Sequence, residues 1–180
     1  MKPFLSLSFL ISALLLAAGC VAPIRSWPTE EMPTCGTDVL RTTSDGVYAW
    51  CLPAGWDEDR PPNVEFSAFA PWREAMLILS YPSPFDAPPT LEQAAGFMEN
   101  MTRDFPGYVG HGVVNVTWGL HPARAVLYEM VGAQETHWDC QSLVAVVNSK
   151  LHQLMSCTVF GLHDWDDDAS RAIASFRFLR

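Results

Sequence analysis

The chain has 180 residues, of which 49% are hydrophobic and 17% charged, and its formal net charge is −9. This composition is typical of a globular protein with a sizeable core and excludes a disordered chain. The excess of acidic residues argues against binding to nucleic acid and against electrostatic docking on anionic lipid head groups.

The N-terminal segment has the features of an export signal. Lys2 provides a positive start, residues 4–16 form an apolar run, and Ala-Ala-Gly then precedes Cys20. This ending resembles the lipobox of bacterial lipoproteins, in which the cysteine is diacylated and becomes the new N-terminus. Ala17 stands where that family usually has leucine. We therefore predict a lipoprotein signal peptide over residues 1–19 and lipidation of Cys20.

Two other interpretations of this segment stay open. It could be a cleaved secretory signal that leaves Cys20 as a thiol, or a retained anchor, although the run is shorter than the ~20 residues of a spanning helix. The lipid anchor predicts a cell-envelope protein held on a membrane by its N-terminus. The residue after the cysteine is Val21 and not aspartate. In a Gram-negative bacterium this favours sorting to the outer membrane, facing the periplasm.

The remaining chain is predicted to form a tether and one domain. Residues 20–34 contain three prolines and should form an extended lipidated tether. Residues 35–180 have a single-domain length and no visible repeat or second linker. In the first part of this domain, strands are predicted at residues 38–43, 46–52, 64–70 and 75–81, with a polar loop at 57–62 and a proline-rich connection at 82–89.

The second part of the domain should contain two helices around a run of strands. Thr90 and Gln93 have the spacing of a capping box, and the apolar periodicity that follows predicts a helix over residues 90–105. A second helix is predicted over residues 166–176, with Asp166 or Asp167 as its N-cap. Between them, strands are predicted at residues 113–118, 124–131, 135–147 and 150–160. This order predicts an α+β fold, an antiparallel sheet of six or seven strands covered by helices on both faces.

Besides Cys20, the chain has four cysteines, an even number that is typical of disulfides in an oxidising compartment: Cys35, Cys51, Cys140 and Cys157. Three pairings are possible in principle. The dipeptide Asn-Ser at residues 148–149 suits a two-residue hairpin turn, and if Val147 faces Lys150, then Cys140 lies opposite Cys157. Pairing of the other two cysteines follows by elimination. A zinc site of four thiolates is the alternative, but no C-x₂-C pair supports it.

Three local motifs resemble the PsbP-like family, which includes the DcrB-like bacterial envelope proteins. They are Leu-Pro-Ala-Gly-Trp at residues 52–56, the turn that leads into a strand at 120–128, and Ala-Ile-Ala-Ser-Phe-Arg-Phe at 172–178. In the second motif the glycine is displaced to Gly119. The resemblance covers residues 45–179. It implies a PsbP-like α/β/α sandwich and a non-enzymatic accessory or assembly role on a membrane.

The sequence predicts no catalytic, cofactor or metal site. It contains no G-x-S-x-G motif, and its histidines lack the spacing of metal ligands. Residues 163–168 combine one histidine with four aspartates. Such a pattern favours capping of the second helix, with a calcium or manganese site as the alternative.

Seven tryptophans are many for this length, and their positions predict two roles. Trp50, Trp118 and Trp138 lie in strand patterns and should belong to the core. Trp72 and Trp165 lie in loops, where an exposed indole can bind a partner, unless it folds over the edge of the core. The leading hypothesis is therefore a non-catalytic envelope lipoprotein that acts through a protein partner. The alternatives are a carrier of a small apolar or lipid ligand and, third, an envelope hydrolase.

Overall fold

The computed structural model describes residues 30–43, 45–60, 64–80, 85, 87–161 and 166–179. The predicted signal peptide, Cys20, the tether before residue 30 and Trp165 lie outside these ranges, as does part of the acidic cluster at residues 163–168. No helix in the described ranges combines the length and hydrophobicity needed to span a bilayer.

The described residues form ten strands and two α-helices. The strands are β1 (Val39–Thr42), β2 (Tyr48–Leu52), β3 (Asp57–Asp59), β4 (Phe66–Phe69), β5 (Ala75–Ser80), β6 (Val109–Trp118), β7 (His121–Val131), β8 (His137–Val147), β9 (Lys150–Val159) and β10 (Arg177–Phe178). The helices are α1 (Leu91–Thr102) and α2 (Asp166–Ser175), and single turns of 3₁₀-helix lie at Pro71–Arg73 and Ala133–Glu135.

Seven strands form one antiparallel sheet in the order β3-β4-β5-β9-β8-β7-β6, and three form a small sheet in the order β1-β2-β10. Helix α1 packs on β7 and β8 from one face of the large sheet. Helix α2 contacts β2 and β5, so that α2 and the small sheet cover the opposite face. This arrangement confirms the predicted α+β class and the predicted number of strands in the main sheet.

Helix α1 begins where the sequence predicts it. The Thr90 hydroxyl accepts a hydrogen bond from the Gln93 N–H at 3.1 Å, and the Gln93 side chain accepts one from the Thr90 N–H at 2.8 Å. This reciprocal cap satisfies two backbone donors that the first turn of a helix leaves open. Ala94, Ala95 and Met98 form the buried stripe that faces the sheet.

The main core lies between the large sheet, α2 and the small sheet, and aromatic rings fill it. Trp50 stacks on Phe176 with ring centres 5.1 Å apart, and Trp118 contacts Phe178 at 5.1 Å. Each of these side chains is at most 2% exposed. Burial of one large apolar side chain contributes roughly 1.5–3 kcal/mol, so this cluster is a main source of stability. Trp138, also predicted in the core, is half-buried near α1.

Both disulfides occur with the pairing that the sequence suggests. Val147 pairs with Lys150 across the turn, and the same register places Cys140 opposite Cys157 with Cα atoms 4.1 Å apart. The second bridge joins Cys35 to Cys51. Each closes a loop of 16 or 17 residues, and such a loop contributes about 3 kcal/mol by restricting the unfolded chain.

The structure differs from the predicted element order in two places. Residues 57–59, predicted as part of a polar loop, form β3 because they pair with β4. The first two predicted strands do not extend the main sheet; they form the small sheet together with β10, which lies at the end of the predicted second helix. Both differences arise from strand pairing, which short polar or two-residue segments do not reveal by periodicity.

Candidate functional site

The strands of the large sheet end at two opposite ends of the domain. We call one the distal end: the β4–β5 connection at residues 70–74, the β7–β8 connection at 132–136, and Phe160, which follows β9. We call the other the tether end: Glu30, the β6–β7 turn at residues 119–120 and the β8–β9 turn at 148–149.

At the distal end, Trp72 is 89% exposed at the tip of the β4–β5 connection. An Ala70 N–H bond to the Ala75 carbonyl, at 2.9 Å, closes the connection. Trp72 and Arg73 adopt left-handed backbone with φ of 62° and 59°. Side chains at such φ values are disfavoured by ~1–2 kcal/mol per residue. Folding therefore does not account for this tryptophan, because it adds little to the core and sits in a costly conformation.

A second exposed aromatic side chain lies directly after the neighbouring strand, β9. Phe160 is 59% exposed, and its N–H donates to the His137 carbonyl at 2.9 Å. The adjacent Val159 N–H donates to the Glu74 carbonyl at 2.8 Å, which joins the end of β9 to the Trp72 connection. The distal end thus presents an indole and a phenyl ring from adjacent chain segments.

The third connection at the distal end also has left-handed backbone. Gln134 and Glu135 both have φ of 58°, and the Gly132 N–H donates to the Thr136 carbonyl at 2.7 Å. Strained backbone outside glycine concentrates at sites that bind partners or ligands. The β8–β9 turn at the tether end is left-handed as well, at Asn148 and Ser149, so the property that distinguishes the distal end is its exposed aromatic area.

At the tether end, Glu30 is buried in a niche made by distant parts of the chain. Its N–H donates to the Phe178 carbonyl at 3.0 Å. Its carboxylate accepts from the Leu120 N–H at 2.6 Å and from the Phe178 N–H at 3.4 Å. The Arg177 guanidinium lies 4.0 Å away, and Nε2 of His121 lies 3.3 Å away. These contacts bind the start of the domain to the β6–β7 turn and to β10.

Gly119 makes room for this carboxylate. A Cβ atom at that position would lie 2.5 Å from Oε1 of Glu30, and the residue has φ of 59°. The sequence places Glu30 in the predicted tether and does not indicate its burial, because its partners lie 90 and 148 residues further along the chain. The one sequence feature that pointed to this niche is Gly119, the displaced glycine of the second PsbP-like motif.

A second buried polar group lies beside the same end. The Tyr48 hydroxyl is hydrogen-bonded to Nδ1 of His152, and Nε2 of His152 lies 3.2 Å from the Val147 carbonyl. A carbonyl only accepts, so Nε2 carries the proton and Nδ1 accepts from Tyr48. Burial lowers the pKa of His152 to about 4. Burial also lowers the pKa of His121, and the Glu30 carboxylate opposes that shift.

These buried groups hold the structure and do not form an active site. His152 is 3% and His121 1% exposed, so neither imidazole is open to a substrate. Two serines, Ser142 and Ser175, likewise have structural hydrogen bonds. Ser142 is hydrogen-bonded to the Tyr128 hydroxyl at 3.2 Å, and Ser175 donates to the Ala172 carbonyl at 2.6 Å while accepting from the Cys51 N–H at 2.8 Å.

Two surface cavities border α2. A groove of about 940 Å³ lies between residues 30–34, the β6–β7 turn and α2, and its lining mixes Met32, Leu120 and Ile173 with charged side chains. A smaller cavity of about 360 Å³ is lined mainly by polar side chains of β8, β9 and α2. The groove touches the edge of the main core at Trp118, and the smaller cavity touches it at Ala169.

The described part of the acidic cluster lies in the first turn of α2. Asp166, Asp167 and Asp168 occupy that turn, and Asp168 forms an ion pair with Arg171 at 2.7 Å. Carboxylates are favoured there by the helix dipole. Among the residues that the structure describes, no group of three or more histidine, cysteine or acidic side chains is placed to hold a metal ion.

The domain has the PsbP-like fold. It resembles the solution structure of PsbP (CyanoP) from Synechocystis, with 15% identity and a TM-score of 0.58 over 84% of this chain and 98% of that one. A protein from Bacteroides thetaiotaomicron is similar, with 12% identity and a TM-score of 0.56 over 80% of this chain and 49% of that one.

The Ran-binding protein Mog1p from Saccharomyces cerevisiae shares the architecture, with 10% identity and a TM-score of 0.52 over 79% of this chain and 95% of that one. No family model and no curated protein sequence matches the chain. At these identities the comparisons establish the fold, and the function rests on the site.

Proposed function

We propose that this protein is a non-catalytic interaction module of the cell envelope, held on the membrane by lipid on Cys20, and that it binds a protein partner through its distal end. In a Gram-negative cell the anchor would lie in the outer membrane, facing the periplasm. The observation that carries the proposal is Trp72, whose side chain is 89% exposed on left-handed backbone. The resemblance to PsbP-like proteins, which implies accessory roles, supports it.

The energetics of Trp72 support binding to a protein. A tryptophan that is buried at the centre of an interface commonly contributes about 2 kcal/mol or more. The nearby Arg73 guanidinium lies 4.6 Å from the centre of the Phe69 ring, and this contact restrains the connection from which Trp72 projects. Phe160 adds exposed apolar area on the chain segment that is hydrogen-bonded to this connection through Val159 and Glu74. An indole on a restrained connection loses little conformational entropy when it is buried.

The position of the tether supports a partner other than the anchoring membrane. The chain from Cys20 to Glu30 spans at most ~35 Å when fully extended. Strand β8, with 11 residues, crosses the domain over a similar ~35 Å. A tether about as long as the domain allows the tether end to face the membrane, with Trp72 on the side away from the anchor. The yeast protein of the same fold is described as Ran-binding, a further instance of protein binding.

In-cell crosslinking of the full-length protein tests the proposal. A partner identified by affinity purification and mass spectrometry should be lost with Trp72→Ala. It should be retained with Leu120→Ala, because Leu120 is also an exposed apolar residue, at 68%, but lies at the tether end. A partner that is retained by both variants would contradict the role of Trp72. Cys20→Ala tests the anchor separately, since it should release the protein from the membrane fraction.

The groove beside residues 30–34 is the observation that favours the alternative function, a carrier of a small apolar or lipid ligand. Its mixed lining, in which Glu30, Glu31 and Arg177 stand among apolar side chains, makes it the weaker candidate. Lipid that copurifies with the native protein and is lost with Ile173→Asp, but not with Trp72→Ala, would favour the carrier over the interaction module.

A further inference from the structure

The two edges of the seven-stranded sheet differ in length and charge. Strand β3 (Asp57–Asp59) forms one edge, and all three of its residues are acidic and exposed. Strand β6 (Val109–Trp118) forms the other edge; it has ten residues, none of them charged and none of them proline. Proteins normally block exposed edges with charge, proline or short strands, because an open edge can pair with another strand. Strand β3 is short and charged, whereas β6 has only the bulge at Gly110 and Gly112, near its start.

The outer edge of β6 carries backbone groups that no described strand pairs with. Trp118 and His121 flank the two-residue turn between β6 and β7. In such a flanking pair, the backbone N–H of each residue donates to the carbonyl of the other. Because the pattern alternates along an antiparallel strand, the N–H and C=O groups of Val113, Asn115 and Thr117 point away from β7. These residues form a continuous hydrogen-bonding edge on the C-terminal side of the bulge at Gly110 and Gly112.

The side chains of β6 are compatible with a second copy of the same strand. Val114 is 42% exposed. In a twofold antiparallel pair centred on this residue, Val114 faces its own copy, and Val113 faces Asn115. Such a pair juxtaposes no like charges, although the chain as a whole carries a net charge of −9. Directly opposed apolar side chains contribute roughly 0.2–1 kcal/mol per pair in an antiparallel sheet.

We propose that two copies of this chain associate through β6 and form one continuous antiparallel sheet. Directly opposed residues of antiparallel strands point to the same face of a sheet, so α1 of both copies lies on one face of the combined sheet. The β3 edges lie at its two outer ends, where Asp57 and Asp59 repel the same residues of a further copy, while Glu58 is paired with Arg41. The assembly is therefore a closed dimer and does not grow into a fibre. The proposal is independent of the distal end, since Trp72 lies on a different part of the molecule.

Sedimentation equilibrium of the full-length protein in detergent, over a range of protein concentrations, tests the dimer. We expect a reversible dimer that Val114→Lys converts to a monomer, because the substitution places two positive charges face to face. The matched control is Leu40→Lys, which adds the same charge at a residue with similar exposure, 44%, on the edge of the small sheet. The control should remain dimeric. Equal loss of the dimer in both variants would overturn the proposal.

Intermolecular disulfide formation tests the pairing through β6 without relying on a charged variant. Val114→Cys should form a covalent dimer in the absence of reductant, because directly opposed residues of a non-hydrogen-bonded pair have the spacing of a disulfide. Val109→Cys, on the same strand and 51% exposed, should not. A dimer that Val114→Cys fails to crosslink would contradict pairing through β6.

A monomer at every concentration would also overturn the proposal. Hydrogen exchange then identifies the reason. Slow exchange of the Val113, Asn115 and Thr117 amides in a monomer would show that another segment of the chain covers the edge. Fast exchange would show that the edge is open but does not self-associate.

Discussion

The tether end and the distal end of the sheet both contain features that cost folding free energy, but the features differ in kind. At the tether end, a buried carboxylate and two buried imidazoles have partners close by, and the rings of Tyr48 and Phe178 pack against them. At the distal end, left-handed backbone supports side chains that point into solvent. The first arrangement stabilises the native chain. The second lowers its stability and leaves apolar area for contact with another molecule.

This difference shows which of the described residues to examine first for function. Buried polar residues are common in active sites. Here the buried Glu30 instead fixes the position of the N-terminal segment. Exposed strained residues are the better guide, because a protein gains nothing from them until it binds. Substitutions at the two ends should therefore have opposite effects on the free energy of unfolding.

The largest effect is expected from Glu30→Ala. The substitution leaves the Leu120 and Phe178 N–H groups without their acceptor and should lower the free energy of unfolding by about 2–4 kcal/mol. Urea denaturation measures this loss. Glu31→Ala is the matched control, because Glu31 is exposed and should change stability by no more than about 0.5 kcal/mol. Equal losses of unfolding free energy in the two variants would contradict a stabilising role for the buried Glu30 hydrogen bonds.

Acid should destabilise the protein through His152. Its folded pKa of about 4 is below the ordinary value of 6.5, so the unfolded chain binds the proton first as the pH falls. The stability is complete above about pH 6.5 and falls between there and about pH 4, by up to about 3 kcal/mol.

Denaturation curves recorded across this pH range test the effect of acid. His152→Gln cannot titrate and should flatten the dependence of stability on pH, whatever its own stability at neutral pH. An unchanged slope in this variant would assign the acid effect to other groups, among them His121, whose pKa burial also lowers.

Gly119→Ala should cost about 2 kcal/mol, since the added Cβ meets the Glu30 carboxylate on backbone that disfavours a side chain. Gly36→Ala separates the two causes. Gly36 has a similar φ of 56°, but a Cβ there meets nothing within 4 Å. The difference between the two variants measures the contact with Glu30, and it should shrink when Glu30→Ala is also present. A difference near zero would show that the niche adapts to the added methyl group.

The smallest effect has the opposite sign. Trp72→Gly should raise the free energy of unfolding by about 0.5–1 kcal/mol, because glycine adopts the left-handed conformation without strain. Trp72→Ala removes the same indole but keeps the strain, so it should leave stability nearly unchanged. Thermal unfolding of the three proteins distinguishes these outcomes. Destabilisation by both substitutions would show that the indole contributes to the fold.

Local sequence patterns predicted the parts of the fold that local chemistry determines. The capping box of α1 involves residues three apart, and the turn that aligns Cys140 with Cys157 has two residues. Helix α2 was also predicted with nearly its observed bounds. In each case the interacting groups are close in sequence or in one hairpin, where spacing alone fixes their geometry.

The remaining features depend on contacts between distant parts of the chain. Strand β10 has only two residues and exists because β2 lies beside it, and β3 carries three acidic residues that resemble a loop. Glu30 could not be separated from the tether, since nothing near it in sequence indicates burial. For the candidate site, the sequence placed Trp72 in a loop. It did not predict its left-handed backbone or its proximity to Phe160, which requires the pairing of β5 with β9.

The Cys35–Cys51 bridge determines how the domain would respond to a pull on its N-terminus. A force applied before residue 30 first loads the Glu30 contacts, and once these break it extends only the few residues up to Cys35. The bridge then transmits the load directly to Cys51, in a strand packed within the core, and bypasses the residues between the two cysteines. The hairpin of β1 and β2 is thereby shielded from tension. A domain tethered at one end and bound at the other could thus bear a mechanical load without unravelling from its anchor.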